Sequence, residues 1–383
     1  MIYARAFYFM FFAAMACLIP FLTLYYQGLG LSGREIGFLT GIVPLITMFS
    51  ASIWSMLSDA SGKHRLAFLT AILGTWFCVL LMSQVSTFLL LIPIVAVYAF
   101  FFAPIIPLVD NAVMAMLGER GGEYGRQRVW GAYGWGIAAA IIGLIIQRSG
   151  LQWSFIGFLT LWLVLLAIGT RLPMVVKSAG GKFWQELRSL LANRHWILFL
   201  AVALIEGMSL GIFLNFLFLY LADMGASRTI MGLSLTAATV SEILVFLYSR
   251  RLLARWSAQF LLAVSMIFIV LRALAYANMT APWQVLFISL LHGPTFALLW
   301  TSGVAYANNI APPGLGATAQ GVFAGTVMGL GSAIGAFSGG FLYDAYGAVV
   351  AFQWAGMASL LALILFTWVN RRSFVRQLQP IKN

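Results

Sequence analysis

The chain has 383 residues, of which 62% are hydrophobic and only 8% are charged. Soluble domains carry about a quarter charged residues, so this composition excludes a soluble globular protein and places the chain in a lipid bilayer. The formal net charge of +12 does not indicate nucleic-acid binding, because the basic residues are scattered over short loops and no face or tail collects them.

The two cysteines, Cys17 and Cys78, both lie in apolar runs, and their spacing indicates neither a disulfide framework nor a metal site. We therefore expect no metal and no cofactor. The N-terminal stretch has one positive charge followed by an apolar run, as signal peptides do. That run continues to about Tyr26, which is too long for a signal peptide, so the stretch is interpreted as a first, uncleaved membrane-spanning helix.

A membrane-spanning helix needs roughly 20 apolar residues, and the sequence contains twelve such segments. They are predicted near 4–27, 35–57, 66–84, 87–117, 127–147, 152–172, 195–222, 229–249, 257–277, 283–308, 317–339 and 348–369. The stretch 173–194 is different, since it begins at a proline, contains a glycine pair and has an amphipathic piece at 183–191. It predicts a cytoplasmic linker between an N-terminal six-helix bundle (1–172) and a C-terminal one (195–370), with a cytoplasmic tail at 371–383.

The positions of lysine and arginine predict the orientation, because cytoplasmic loops of membrane proteins are enriched in both. With the N-terminus inside, eighteen basic residues fall on the cytoplasmic side and three, Arg34, Arg148 and Arg228, fall outside. Arg272 lies inside a helix. Both termini are therefore predicted to be cytoplasmic, in a multi-pass protein of the bacterial inner membrane.

Weak internal similarity relates the two halves. Gly37 matches Gly232 at an offset of 195, and Gly143, Gly150 and Phe155 match Gly340, Gly347 and Phe352 at an offset of 197. Similar offsets at separate places, with six spans on each side of a linker, indicate a duplication. We expect an all-α membrane protein of twelve helices in two parallel six-helix repeats, the architecture of major facilitator transporters.

One candidate site lies in the first half, where Asp110 interrupts an apolar run and the following segment, EYGRQRVWGAYGWG, contains Arg128. A lipid-facing, unpaired acid would cost several kcal/mol, so a partner is expected. Asp110 and Arg128 are each nine residues from Glu119 in the turn between them. Two antiparallel helices would place them at similar depth, which predicts an ion pair within the membrane.

The second half contains further ionisable residues inside apolar spans. Arg272 and His292 are each ten residues from Pro282, and Glu206 and Glu242 are each 18 residues from Met224. With a neutral histidine this group has a net charge of −1, which uptake of one proton on His292 or a glutamate would cancel. The group therefore indicates proton coupling, although a fixed network that only holds helices together would also fit.

The loop 58–65, SDASGKHR, and the segments above together resemble a known family. The pattern L-S-D-x-x-G-K-H-R is similar to the major facilitator loop signature between the second and third helices, with Ser55 in place of a glycine. The resemblance implies a gating role for four residues of this loop, Asp59, Gly62, Lys63 and Arg65. The alternative is a solvated, positively charged cytoplasmic loop.

Asp110 with EYGRQRVWGAYGWG, TVSEILVF, VLRALA and LLHGPTF resemble the oligosaccharide:proton symporters, the lactose permease family, and more closely the phenylpropionate permease family. This resemblance implies that Asp110 and Arg128 bind substrate and that Trp135 stacks on it. It also implies a coupling role for Glu242, Arg272 and His292. Glu206 completes the predicted coupling group because of its buried charge and its distance from the turn. Tyr133, Asn111 and Asn215 are further substrate-contact candidates, the two asparagines being equally explicable by helix packing.

The sequence departs from the sugar symporters at two positions. Thr295 stands where their proton-carrying glutamate follows the histidine, and Met328 stands near the position of their lysine in the eleventh helix. The proton would then have to be carried by Glu242, Glu206 or His292. A tryptophan platform stacks equally well on a sugar, an aromatic acid or a nucleoside, so all three substrates stay open.

The sequence therefore predicts a monomeric, proton-coupled symporter that takes up a small organic solute by alternating access. Its partners are that solute, protons and the bilayer, with no nucleic acid. A proton-driven exporter of drugs or metabolites would have the same features and differ only in direction. A transport-inactive sensor would bind ligand without flux. An enzyme is not expected, because one buried histidine without a carboxylate cluster or cysteine pair makes no catalytic motif.

Overall fold

A computed structural model of the protein describes residues 1–118, 123–173 and 183–371, except for the side chains at 55, 59, 183–186 and 194. The turn at Glu119, the linker residues 174–182 and the tail residues 372–383 lie outside the described residues. The boundaries predicted for linker and tail consequently stay predictions.

The described residues fold into a helical bundle. The helices are α1 (Ile2–Gly28), α2 (Gly33–Ser61), α3 (His64–Met82), α4 (Phe88–Phe102), α5 (Ile105–Leu117), α6 (Tyr124–Ser149), α7 (Trp153–Gly169), α8 (Phe183–Leu191), α9 (Arg194–Asp223), α10 (Arg228–Arg255), α11 (Ala258–Ala277), α12 (Val285–Ile288), α13 (Leu298–Ile310), α14 (Gly316–Ala324), α15 (Ser332–Tyr346) and α16 (Ala348–Val369). Two π-helical segments, Gly293–Ala297 and Gly325–Gly331, join α12 to α13 and α14 to α15.

These helices form the twelve predicted spans. Within the described residues, eleven helical stretches are long and apolar enough to cross a membrane, and the sixth span, α7, is an apolar helix of 17 residues. At 1.5 Å per residue α7 is about 25 Å long, slightly short of a typical hydrocarbon core. The fourth span is broken between α4 and α5 at Ala103–Pro104, and the tenth and eleventh contain the π segments.

A capping box is present at the start of α2. The Ser32 backbone N–H donates to Glu35 Oε2 over 2.8 Å, and the Glu35 N–H donates to Ser32 Oγ over 3.3 Å. Each side chain thereby satisfies a backbone group of the first turn that has no partner within the helix. The polar turn ends at this residue pair and the apolar span begins.

Four of the glycines matched in the sequence lie where helices of the two repeats pack closely. Gly37 of α2 packs on Gly340 of α15, so that a Cβ on Gly37 would lie 2.9 Å from the Cα of Gly340. Gly143 of α6 packs on Gly232 of α10, where the corresponding distance is 3.0 Å. A side chain at any of these four positions would push the helices apart. The duplication relates one contact to the other, because Gly37 corresponds to Gly232 and Gly340 corresponds to Gly143. This explains why the two sequence matches have nearly the same offset.

Other matched residues are also equivalent in the structure. Gly150 and Gly347 end α6 and α15 with φ of +95° and +84°, a conformation that favours glycine. Each is followed by a buried phenylalanine, Phe155 and Phe352, whose ring packs edge-on against a tyrosine. The prediction of two parallel six-helix repeats is therefore confirmed.

Polar contacts join the repeats at the end of the bundle that holds these glycines, which we call the closed end. The Asp344 carboxylate of α15 accepts hydrogen bonds from the backbone N–H groups of Gly33 (2.6 Å) and Arg34 (3.1 Å) at the start of α2. Gln147 of α6 accepts one from the N–H of Arg228 (2.6 Å) at the start of α10. Gln147 and Asp344 are 197 residues apart, so each repeat caps an opposing helix of the other.

The repeats separate toward the opposite end, which we call the open end. Helix α2 is packed at Gly33, Gly37 and Gly41, whereas Met56, about four turns beyond Gly41, is 70% exposed. In α10, Leu247 is 68% exposed. Helices α1 and α16 run respectively toward and away from the closed end, so the start of α1 and the end of α16 lie at the open end.

Candidate functional site

The first charged cluster is organised by Tyr8 of α1. Its hydroxyl donates to Asp110 Oδ1 of α5 over 2.6 Å. The guanidinium of Arg128 in α6 lies over two aromatic rings of α1, 5.2 Å from the centre of Tyr8 and 4.4 Å from the centre of Phe12. Three helices thus place an acid and a cation on either side of one tyrosine.

The predicted ion pair between Asp110 and Arg128 is not a direct contact. Among the ion pairs of the described residues, none joins these two side chains within 4.0 Å. They are close enough to interact electrostatically, and the hydroxyl of Tyr124 belongs to the same cluster. The hairpin geometry predicted that the two residues lie at similar depth. It did not predict that Tyr8 contacts both of them. Each retains hydrogen-bonding capacity that a polar ligand can use.

Gly131 makes room for this arrangement. A Cβ at Gly131 would lie 2.6 Å from the ring of Phe12 and 3.1 Å from Arg128 Nη1. Trp135 follows Arg128 by seven residues on the same face of α6, about 10 Å further along the helix. It is half-buried, as expected for a ring that presents one face to a ligand.

The three remaining substrate-contact candidates are less favourably placed. Tyr133 is 43% exposed on a stripe of α6 that also carries Trp130 and Ile137, so it faces the outside of the bundle and not Arg128. Asn215 donates to the Gly211 carbonyl of its own helix over 2.8 Å, which satisfies its amide locally. Asn111 is exposed beside Asp110. A five-residue separation rotates Tyr133 away from Arg128, so the two do not share a helix face, and the role of Tyr133 as a stacking surface stays a prediction.

The second cluster surrounds Arg272, which is 5% exposed. Its Nη1 lies 3.0 Å from both His292 Nδ1 and Thr295 Oγ1, and its Nε and Nη2 donate to the Tyr276 hydroxyl over 3.1 and 2.9 Å. His292 Nε2 lies 3.7 Å from Glu242 Oε2. The structure thus brings together three of the four predicted coupling residues.

A break in the tenth span positions His292. Pro294 has no N–H, so the carbonyl of Leu290 lacks its usual helical donor. The hydroxyl of Ser241 in α10 donates to that carbonyl and accepts from the N–H of Gly293. Because Ser241 precedes Glu242, the same hydrogen bonds that complete the broken helix hold Glu242 opposite His292.

Glu206 is separate from this cluster. It is fully buried, and its Oε2 accepts from Ser359 of α16 over 3.0 Å, while Oε1 has no hydrogen-bond partner among the described residues. Ser209, one turn along α9, also contacts Ser359. This face of α9 packs against α16 within the second repeat, so the structure does not support placing Glu206 in the coupling group.

The two charged clusters face each other across the repeats. Glu242 lies within electrostatic reach of Arg128, and Thr236, one and a half turns earlier on α10, donates to the Gly136 carbonyl of α6 over 2.7 Å. Both clusters therefore lie where the packed contacts between α6 and α10 give way to the open end.

The predicted gating loop lies at the open end. Gly62 has φ of +63° and Lys63 precedes α3. The Arg65 guanidinium donates to the Thr170 carbonyl at the end of α7, within the same repeat. The Asp59 side chain lies outside the described residues. The gating role stays a prediction.

Sequence reasoning did not identify Tyr8, Phe12, Tyr276 or Ser241. Tyr8 and Phe12 are four residues apart in an apolar helix, a spacing that puts two rings on one face. Nothing in the sequence distinguishes that pair from ordinary packing aromatics. Tyr276 follows Arg272 by four residues, and this spacing could have indicated the contact.

A twelve-helix bundle of two parallel repeats, joined at one end and carrying buried charges between them, defines a secondary transporter of the major facilitator fold. The chain belongs to the MFS_1 like family, whose model matches residues 1–354.

Individual relatives are distant and align along most of their length. The chain is 26% identical over 369 residues to maltose permease of Geobacillus stearothermophilus, covering 96% of this chain and 93% of the relative. It is 26% identical over 349 residues to the probable 3-phenylpropionic acid transporter of Escherichia coli (strain K12), covering 89% and 90%. The crystal structure of nucleoside transporter NupG superposes with a TM-score of 0.85 at 17% identity, covering 96% and 98%, a likeness of fold.

Proposed function

We propose that the protein is a proton-coupled symporter that takes up a small organic solute across the bacterial inner membrane. The solute classes that fit are sugars, nucleosides and aromatic acids. The two relatives named as transporters of a sugar and an aromatic acid, and the shared fold with a nucleoside transporter, support this range. We propose further that it acts as a monomer with both termini in the cytoplasm.

The carrying observation is that charged clusters of both repeats face each other where the bundle opens. Asp110 and Arg128 lie in the first repeat and Glu242 and His292 in the second. A solute bound between them contacts both repeats, so a rocking motion that changes access also changes the contacts on the solute. Asp110 and Arg128 would bind its polar groups, and Trp135 would stack on a ring. Asn111 stays a candidate contact.

With the termini in the cytoplasm, the closed end faces outward and the open end faces the cytoplasm. The structure would then be the inward-open state of an alternating-access cycle. In the outward-open state the contacts at Gly37–Gly340 and Gly143–Gly232 would separate. The charge arrangement supports proton coupling, because a buried carboxylate beside a histidine and across from an arginine changes its interactions with both when it binds a proton.

The test uses purified protein in proteoliposomes with an imposed pH gradient. Maltose, a nucleoside and 3-phenylpropionate are supplied separately, and solute accumulation and proton movement are recorded together. We expect one solute to accumulate on the alkaline side and to carry protons with it. Accumulation of the solute on the acidic side would instead indicate a proton-driven exporter. Binding of the solute without flux would indicate a sensor.

The substrate site is tested with Trp135→Ala, using Tyr133→Ala as a matched control on the same helix. We expect the Trp135 variant to lose binding of the transported solute and the Tyr133 variant to keep it, because only Trp135 shares a helix face with Arg128. Equal losses in both variants would contradict the proposed position of the site.

A further inference from the structure

We propose that Glu242 carries the coupled proton and that Arg272 is a positioning residue that keeps His292 neutral, with its Nε2–H directed at Glu242. This inference rests on the proposed proton coupling. It selects one residue from the three, Glu206, Glu242 and His292, that the sequence leaves open.

The protonation state of His292 follows from the chemistry of its neighbour. Arg272 Nη1 lies 3.0 Å from His292 Nδ1. A guanidinium has donors only and stays protonated in proteins, so Nδ1 must accept and must carry a lone pair. The ring proton of a neutral histidine is then on Nε2, the atom 3.7 Å from Glu242 Oε2. A proton on Nδ1 would oppose a guanidinium N–H. A ring protonated on both nitrogens would in addition place two cations side by side in an apolar interior.

Arg272 cannot easily turn away to release Nδ1. Its other nitrogens donate to Tyr276, and Nη1 also donates to Thr295, whose hydroxyl donates in turn to the His292 carbonyl over 3.0 Å. The guanidinium lies 5.2 Å from the ring centre of Phe213. Within the described residues no carboxylate lies within 4.0 Å of Arg272. Its contacts therefore orient a histidine and do not pair an acid.

Glu242 is left as the group that can exchange a proton. Its side chain is 22% exposed, and the charged or titratable groups of the described residues that interact with it are His292 of the tenth span and Arg128 of α6. The ionised carboxylate is attracted to Arg128 across the repeats. When Glu242 binds a proton, that attraction is lost, and Arg128 becomes available to a polar group of the solute. The proton and the solute are thereby coupled through one arginine.

Glu206 does not fit this role. It is fully buried, and its Oε2 accepts a hydrogen bond from Ser359 of α16 in the same repeat. It is, however, a buried glutamate of the same repeat. Glu206→Gln is therefore a matched control for Glu242→Gln.

The first test is nitrogen-15 NMR of the histidine rings in the full-length protein in lipid. The chain has three histidines, and spectra of His292→Gln identify the signals of His292 by their absence. We expect the Nε2–H tautomer of His292 to persist from acidic to alkaline pH, and to be lost in Arg272→Gln. An Nδ1–H tautomer, or an imidazolium over the pH range of transport, would overturn the proposal.

The second test measures solute-driven proton uptake in proteoliposomes, with maltose or 3-phenylpropionate as the probe. Glu242→Gln should lose proton uptake and accumulation, whereas Glu206→Gln should keep both. His292→Gln should still move protons, because a neutral amide can accept from Arg272 and donate to Glu242. Retained coupling in Glu242→Gln, or coupling lost in Glu206→Gln alone, would overturn the assignment.

The two tests separate this inference from the proposed function. If the wild-type protein transports solute without protons, the proposed coupling fails and the proton assignment fails with it, while the tautomer is still decided by NMR. If the wild type is coupled and the Glu242 variant is coupled too, the proposed function stands and this inference fails.

Discussion

At the residue scale, aromatic side chains stabilise the buried charges of Asp110 and Arg128. The Tyr8 hydroxyl stabilises the Asp110 carboxylate, and the rings of Tyr8 and Phe12 hold the Arg128 guanidinium without an acid in contact. A cation over aromatic faces is stabilised by about 0.5–2 kcal/mol while its donors remain free. These contacts stabilise both charges inside a membrane protein, and they leave donors and acceptors that a polar solute can bind.

Tyr8→Phe tests the hydrogen bond without removing the ring. Loss of a hydrogen bond to a charged group costs about 1.5–3 kcal/mol, so we expect solute affinity to fall by roughly one to two orders of magnitude. Tyr26→Phe is the control, because the Tyr26 hydroxyl is buried without a hydrogen-bond partner among the described residues. Equilibrium binding of the transported solute measures both, and an unchanged affinity in Tyr8→Phe would contradict the role given to the hydroxyl.

Gly131→Ala tests the close approach of α1 to α6. The added carbon would meet the Phe12 ring at 2.6 Å and Arg128 at 3.1 Å, so the guanidinium should shift and binding should weaken. Gly125→Ala on the same helix meets nothing within 4 Å and should be neutral or stabilising by up to about 1 kcal/mol. Binding and thermal unfolding of the two variants can be compared directly, and equal behaviour would argue against the steric explanation.

At the element scale, irregular helices position Glu242 and His292, the residues proposed for proton coupling. Pro294 interrupts the tenth span, and Ser241 of α10 supplies the hydrogen bond that the proline removes. A helix break inside a bundle is tolerated where a neighbouring helix satisfies the freed carbonyl. Here the repair also determines which residues meet, because Glu242 and His292 lie next to the repaired turn.

Ser241→Ala tests whether the hydrogen bonds of Ser241 serve only the stability of the protein or also proton coupling. A buried carbonyl left without a donor costs about 1–3 kcal/mol, and release of α10 should lengthen the distance between Glu242 and His292. We expect lower thermal stability and a reduced ratio of protons to solute. Ser249→Ala, whose hydroxyl bonds within its own helix, serves as the control on the same element. A destabilised Ser241 variant with a normal proton-to-solute ratio would limit the role of this serine to folding.

At the scale of the whole molecule, duplicated contacts close one end. The two glycine pairs and the two caps, Asp344 on α2 and Gln147 on α10, are equivalent under the repeat. They differ in charge, since a carboxylate at a helix N-terminus interacts with the helix dipole and an amide does so only weakly. We therefore expect the Asp344 cap on α2 to stabilise the closed end more than the Gln147 cap on α10.

Asp344→Ala should shift the molecule toward the state that is open at this end, and Gln147→Ala should do so less. A charge at a helix N-terminus contributes about 0.3–1 kcal/mol, enough to change a two-state population several-fold. Spin labels at Gln84 and Trp283, both exposed near the closed end in opposite repeats, would report the change as a longer distance population. A larger shift in the Gln147 variant would contradict the charge argument.

The twelve spans, the duplication and the depth of the Asp110 and Arg128 charges could be predicted from the amino-acid sequence. The bilayer imposes these features on composition, since apolar length, basic loops and rare buried ions leave direct signals along the chain. Gly37 and Gly143 matched their counterparts because each pair occupies an equivalent contact.

The direction in which each side chain faces could not be predicted from the sequence, because it depends on how the helices pack. Tyr133 and Glu206 had suitable chemistry and depth, yet Tyr133 faces outward and Glu206 faces α16. Tyr8, which has no distinctive sequence signal, lies between Asp110 and Arg128. Helical periodicity relates residues of one helix to each other, but the rotation of that helix against its neighbours depends on packing with residues distant in the sequence.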